Sequence, residues 1–215
     1  MEEYFSKGLG GASETSSVNT SKIQQAFDKY KDAATGNIEI EGLQRFFEDL
    51  GVNAATDLVT MLISQRMNAA NMGVYTFAEF QAGFKALGVS TVEELKRNKL
   101  PGLYQELRNP EEYKRMYKYV YNYARDKSKK NMQVEMAVDL WELLLAPRCS
   151  FLPLWVDFLQ TEKKDQVAIP ADTWNMLLEL VDGTKGDLAN FVDDGTWPPI
   201  IDQFIEWYGK KQAGK

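Results

Sequence analysis

Behind Pro110, the residues Tyr113, Met116, Tyr117, Val120, Tyr121 and Ala124 recur at i, i+3, i+4, i+7 spacing. That period puts them on one face of an α-helix, and proline suits the first turn of a helix because its missing N–H has no partner there anyway. The rest of the chain repeats the pattern between short breaks. Ser21 and Gln24 form a capping box ahead of Ile23, Ala26, Phe27 and Tyr30, which share a helical face. Residues 40–50 read as a helix stopped by Gly51, well placed for a left-handed cap. Further helices are predicted over 55–67, from the Thr76/Glu79 capping box to near Gly88, and from a Ser90/Glu93 box onward. Others are predicted over 132–146 up to Pro147, over 151–161, from Pro170 to about residue 182, and from Pro198 and Pro199 to Tyr208, ahead of Gly209. Strand signals are confined to 37–40 and 73–76. The fold class is all-α. Residues 1–20, rich in Ser, Gly and Thr from position 6, read as a disordered tail.

At 215 residues, 44% apolar and 12% aromatic, the chain can bury a real core. A net charge of −6 argues against a nucleic-acid partner, whose phosphates need a basic footprint. Charge is uneven. Residues 165–206 hold nine acidic residues and one basic, and residues 108–130 hold eight basic and three acidic; both stretches read first as solvated helix faces. There is no histidine, which removes the commonest general base and metal ligand and excludes Ser-His-Asp and Cys-His machinery. Cys149 is the only cysteine, so no internal disulfide and no zinc site of the Cys/His type can form. It reads as a structural thiol, although Arg148 beside it would favour a thiolate. No apolar run approaches the ~18 residues of a membrane span. The N-terminal Met1-Glu2-Glu3 is acidic where a signal peptide is basic. A soluble protein of the cytoplasm and/or nucleus is expected, without membrane or nucleic-acid partners.

Two stretches share a helix–loop–helix pattern, one around Gly36 and Ile38, the other around Gly73 and Tyr75. Both resemble EF-hands, with glycine at loop position 6 and an apolar residue at position 8. Calcium needs oxygen ligands at positions 1, 3, 5 and 12. The first loop offers Lys31, Ala33, Thr35 and Gly42 there, and the second Asn68, Ala70, Met72 and Glu79. One carboxylate between them does not make a calcium site, so no metal and no cofactor is expected. The pair survives as architecture, with Ile40, Leu43, Ile63, Met67 and Tyr75 lining an apolar groove or simply forming core.

Near the carboxyl end, Ile169-Pro170-Ala171-Asp172-Thr173-Trp174 and Gly195-Thr196-Trp197-Pro198-Pro199-Ile200-Ile201-Asp202 set carboxylates beside tryptophans at two helix starts. Such a surface suits a basic partner. Together with Phe27-Asp28-Lys29-Tyr30, Asn122-Tyr123-Ala124-Arg125, Met136-Ala137 and Phe158-Leu159, in this order, the segments resemble the defective-in-cullin-neddylation proteins and their potentiating-neddylation (PONY, or DCUN1) domain.

The resemblance implies a domain over 21–210, with an EF-hand-like lobe over about 21–106, a cullin-binding lobe over about 107–210 and a tail over 211–215. It implies a monomeric, non-catalytic scaffold that promotes cullin neddylation. One partner is the C-terminal winged-helix region of a cullin, basic where it docks. The other is the neddylation conjugating enzyme, whose acetylated N-terminal methionine enters an apolar pocket while the next segment lies along a groove as a helix. The cullin-binding positions match Asp172, Thr196 and Asp202; threonine replaces the family's small residue, and Gln203 follows where an acid is familiar. Asp172 lies in the first turn of its helix and Asp202 further inside its own, so Asp172 gains more from the helix dipole. The methionine pocket maps onto Ile40, Leu43, Thr60, Ile63, Ser64, Met67, Tyr75, Tyr123 and Leu143, with a one-residue insertion near Asp57. Thr60, Ser64 and Tyr75 are more polar than the family norm and erode the about 1.5–3 kcal/mol that a buried methionine contributes. About twenty residues precede Ser21, too few for the ubiquitin-associated domain some members carry; either the protein lacks it or the chain is a piece of a longer one. Rival readings are a calcium-regulated module, a carboxylate pair at Asp193 and Asp194 beside Trp197, and a cullin adaptor or inhibitor-like member that binds the conjugating enzyme weakly.

Overall fold

The structure is a computed structural model and describes residues 18–192, 195 and 197–213. Most of the tail expected over 1–20, together with Asp193, Asp194 and Thr196, lies outside the described residues. Helix α1 (Thr20–Asp28) starts on Asn19 rather than Ser21, because the Asn19 side chain accepts from the Lys22 N–H and so takes the cap position. Helix α2 (Ile40–Leu50) stops at Gly51 in a left-handed conformation, as its sequence predicts. Helix α3 (Val59–Arg66) begins later than expected. The Asn53 side chain takes the N–H groups of Ala55 and Thr56, and that of Asp57 takes Val59 N–H. These side chains capture the donors that an earlier helical turn would have needed. Helix α4 (Phe77–Leu87) carries the Thr76/Glu79 box with both reciprocal bonds made. The next box is displaced by one residue: Thr91 caps α5 (Val92–Glu94), and the Glu94 carboxylate returns to Ser90 N–H at 2.7 Å. A π-helical turn, Leu95–Lys99, leads into α6 (Leu100–Glu106).

Helix α7 (Pro110–Ala124) is the spine. It packs on α3 and on α10 (Ala171–Thr184). Its tyrosines explain how one helix binds so many elements: each buries a ring and donates its hydroxyl to a backbone carbonyl elsewhere. Tyr113 reaches Leu144 at 2.5 Å, Tyr117 reaches Trp174 at 2.9 Å, Tyr119 reaches Ala69 at 2.7 Å and Tyr121 reaches Ile169 at 2.8 Å.

Residues 132 and 133, expected to be helical, form strand β1 (Met132–Gln133), antiparallel to β2 (Ala168–Ile169). Helix α8 (Val134–Leu145) follows directly, then α9 (Leu152–Thr161). Helix α11 (Pro199–Ala213) runs past Gly209, where a stop was expected, and takes in part of the expected tail. An exposed glycine costs a helix only about 1 kcal/mol. Lys210 and Lys211 suit the last turn, and Lys211 bonds Asp157 of α9 at 2.6 Å. Among the described residues, extended structure is limited to β1–β2 and one isolated bridge, and helices make up the rest of the regular structure, so the chain is all-α. That bridge joins Ile38 and Tyr75, where the strand signals lie, with both backbone bonds at 2.9 Å. Gly36 and Gly73 enter it with positive φ of 74° and 89°, a conformation that side chains with a Cβ resist. Among the described residues, no helix is long and apolar enough to cross a membrane.

Candidate functional site: an apolar cleft and an acidic ledge

A cleft of about 650 Å³ opens between α2, the turn at 53–55, α3 and the end of α7. Its walls include Ile40, Leu43, Phe47, Val52, Met61, Met72 and Met136. Ile40 is 71% exposed and Met72 45%, so the mouth presents apolar side chains that no described residue covers. Thr60, Ser64 and Tyr123 also line it. Of the predicted pocket residues, Ile40, Leu43, Thr60, Ser64 and Tyr123 are therefore brought together. Ile63, Met67 and Tyr75 are not on the wall, being fully buried in the core behind it. Leu143 is half-buried on α8 and does not line the cleft. The physical reason is that α3 is buried over Val59, Thr60, Met61, Leu62, Ile63 and Ser64, so its period cannot say which side faces the opening. Sequence reasoning missed Gln44, Phe47 and Glu48, which extend the Ile40–Leu43 face by the helical repeat and were findable that way.

The polar floor is held from behind. Ser64 Oγ lies 2.6 Å from Tyr75 Oη and donates to Thr60 O at 2.8 Å, so the one remaining proton between the two hydroxyls is Tyr75's. Thr60 Oγ1 donates to Asp57 O at 2.8 Å. Burial raises the Tyr75 phenol well above its ordinary value. It raises Tyr123 too, against hydrogen bonds from Ser64, Tyr75 and Gly73. Both stay neutral, and a charged phenolate does not enter the cleft.

The acidic ledge sits on α10 and α11, which pack on each other. Asp172 and Asp202 are both exposed, and both lie in the first turn of their helices. Asp202 was expected deeper, but α11 starts at Pro199, so both carboxylates face a helix N-terminus. Behind each, the neighbours turn inward: Thr173 and Trp174 on α10, Ile201 and Phe204 on α11 are buried. Trp174 stacks on Tyr117 at 4.7 Å and on Trp141 at 5.4 Å, and its indole N–H donates to Tyr117 O at 3.1 Å. Thr196, the third predicted ledge residue, and the Asp193–Asp194 pair lie outside the described residues.

Other candidate chemistry is accounted for locally. Cys149 is buried, and burial pushes its thiol up to about 12, so it is no nucleophile at neutral pH. Arg148 turns instead to the Tyr113 ring at 4.2 Å and to Asp182 at 3.1 Å. Glu79, the one carboxylate of the second calcium-like loop, accepts from Ala70 N–H, Thr76 N–H and Thr76 Oγ1 within 2.8 Å. Its oxygens serve the capping box. Among the described residues, no group of three or more Asp, Glu or Cys side chains is placed to hold a metal ion.

Residues 95–207 match the family model described as cullin binding. That span holds the ledge and the α7 side of the cleft. DCN1-like protein 3 of Xenopus tropicalis is 31% identical over 204 residues, covering 94% of this chain and 66% of its own length. DCN1-like protein 4 of Homo sapiens is 33% identical over 172 residues, 80% of this chain and 58% of its own. The chain thus spans two thirds or less of these relatives. With a family model matched over more than half its length and relatives of this family about 30% identical across most of it, the chain belongs to the DCN1-like, cullin-binding family.

Proposed function

We propose that the protein promotes cullin neddylation as a two-site scaffold. The ledge of Asp172 and Asp202, with Thr196 between them in sequence, docks the basic C-terminal winged-helix region of a cullin. The cleft takes the acetylated N-terminal methionine of the neddylation conjugating enzyme and the helix that follows it. The observation that carries the reading is α7. Its last turn supplies Tyr123 and Ala124 to the cleft, while Tyr117, six residues earlier, holds Trp174 two residues from Asp172. One rigid helix thus supports both sites, as a device that sets the distance between two partners requires. Fixing two reactants together is worth up to about 7–11 kcal/mol of barrier when the geometry is right. The thioester chemistry stays with the conjugating enzyme, and the protein acts as a monomer in the cytoplasm or nucleus.

The hydroxyls of Thr60 and Ser64 in the cleft favour a second reading, an adaptor that holds cullin firmly and the conjugating enzyme weakly. A reconstituted neddylation assay separates the two. Asp172→Arg and Ile40→Arg both change exposed side chains, and unchanged circular dichroism checks that the fold is kept. On the scaffold reading the native protein accelerates modification, and each variant falls to the rate without added protein. On the adaptor reading only cullin capture by Asp172 is lost and no acceleration is seen with the native protein. Acceleration that survives both substitutions rejects both readings.

A further inference from the structure

The segment joining α7 to β1 carries Arg125, Lys127, Lys129 and Lys130, with a single carboxylate, Asp126. That carboxylate is committed to its own turn, where Oδ1 accepts from Ser128 N–H and Ser128 Oγ at 2.8 Å each. Two of the cations fold back on backbone. Arg125 donates to the carbonyls of Asp126 and Lys129, and Lys127 Nζ donates to Asn122 O. Lys127 therefore answers the negative end of α7, while Arg125 ties the loop that follows it. Lys129 and Lys130 stand exposed.

Among the described residues, none of the four cations lies within ion-pair distance of a carboxylate, and what sets them apart from other unpaired cations is that they fall within six consecutive residues. Asp126 lies in the field of Lys129 and Arg125 and offsets one of the four charges, so the segment keeps a net positive charge in a chain of net charge −6. Burial, and after it the neighbouring Arg125, hold the Lys127 ammonium below its usual range. Its place matters. Tyr123 and Ala124 line the cleft and Arg125 is the next residue, so the basic segment begins at the cleft wall. Another part of the wall carries Glu48, paired with Gln44 at 3.1 Å. The cleft is therefore edged by opposite charges.

We infer that residues 125–130 extend the cleft into a docking surface for an acidic stretch of the same peptide whose apolar end enters the cleft. The inference rests on the cleft being a peptide site, as proposed above. It commits to an acidic peptide rather than a nucleic acid or an anionic membrane. Four cations give a small footprint, and the acidic stretch over 165–206 repels an extended polyanion. Opposed charges at the two edges also fix which way round the peptide lies, because like charges brought together are costly.

The test uses synthetic peptides that begin with N-acetylmethionine and an apolar helical turn, followed by three Glu, three Ser or three Lys, titrated by fluorescence anisotropy. The expected order of affinity is Glu over Ser over Lys, with the Glu advantage about fivefold in dilute buffer and lost near 1 M salt, where exposed pairs are screened. The double variant Lys129→Glu, Lys130→Glu should reverse the order. A control of equal charge change at distant exposed lysines, Lys22→Glu with Lys85→Glu, should leave it. If the three peptides bind equally, the acidic extension is wrong and the cleft stands. If none binds, the peptide-site reading fails and takes the inference with it. Tighter binding of duplex DNA or phosphatidylserine vesicles than of the Glu peptide, abolished by the Lys129/Lys130 variant, overturns the choice of partner.

Discussion

The two halves of the molecule treat their aromatic and apolar side chains differently. Around the start of α10, the rings stack and their polar tips are paired: Trp174 lies between Tyr117 and Trp141, and Tyr117 receives the Trp141 N–H at 2.9 Å. Around α2, Phe27, Phe46, Phe80 and Phe84 form an equally buried aromatic cluster, yet the next face of the same helix leaves Ile40 and the nearby Met72 open. The difference follows from what each half offers a partner. Recognition by charge needs no spare apolar surface; it needs carboxylates fixed at helix starts by a closely packed core behind them. Recognition by burial needs apolar surface that the fold has not consumed.

The contrast is sharpest where a substitution separates frame from surface. Trp174→Ala empties the centre of the stack and should cost about 3–5 kcal/mol in urea unfolding. Cullin binding should fall with it, because the start of α10 loses its support. A cost below about 1 kcal/mol would mean that the frame is not closely packed. Ser64→Ala should cost about 1 kcal/mol, since Tyr75 loses the acceptor of its buried hydroxyl. The same change should tighten an N-acetylmethionine peptide by making the floor less polar, so stability and affinity move in opposite directions. Weaker binding would show that the hydroxyl holds the ligand. The smallest effect belongs to Asp49, whose carboxyl the Lys29 ammonium and the Tyr30 hydroxyl hold below its ordinary 3.8. Because the folded value is depressed, its contribution is complete above the unfolded value and fades as pH falls through the folded one. Asp49→Asn should leave the melting temperature at pH 7 slightly lower and the native and variant curves should converge below about pH 4. Curves that stay parallel through that range would remove the assigned cause.

The two halves also differ in how far the sequence discloses them. Stops and caps with a single chemical cause, such as Gly51 and the Thr76/Glu79 box, are legible because no distant residue competes for them. The start of α3 is not, since Asn53 and Asp57 take donors by local side-chain geometry that a helical period does not encode. Two-residue strands β1 and β2 leave no alternation to detect and abut helices whose pattern overruns them. Asp172 is legible because an acid next to Trp174, behind Pro170, is a surface residue beside a buried one. The cleft is legible only on α2, which has one apolar face and one open one. On α3 residues 59–64 are all buried, and so Ile63, like Met67 just past the helix, cannot be told from Thr60 until the chain is folded.

The most direct test of two independent sites on one frame is a calorimetric titration of an N-acetylated conjugating-enzyme peptide into the protein, alone and after saturation with the C-terminal region of a cullin. The account predicts the same peptide affinity in both titrations and a complex holding all three components. Displacement of the cullin by the peptide, or loss of peptide binding once the cullin is bound, would contradict it.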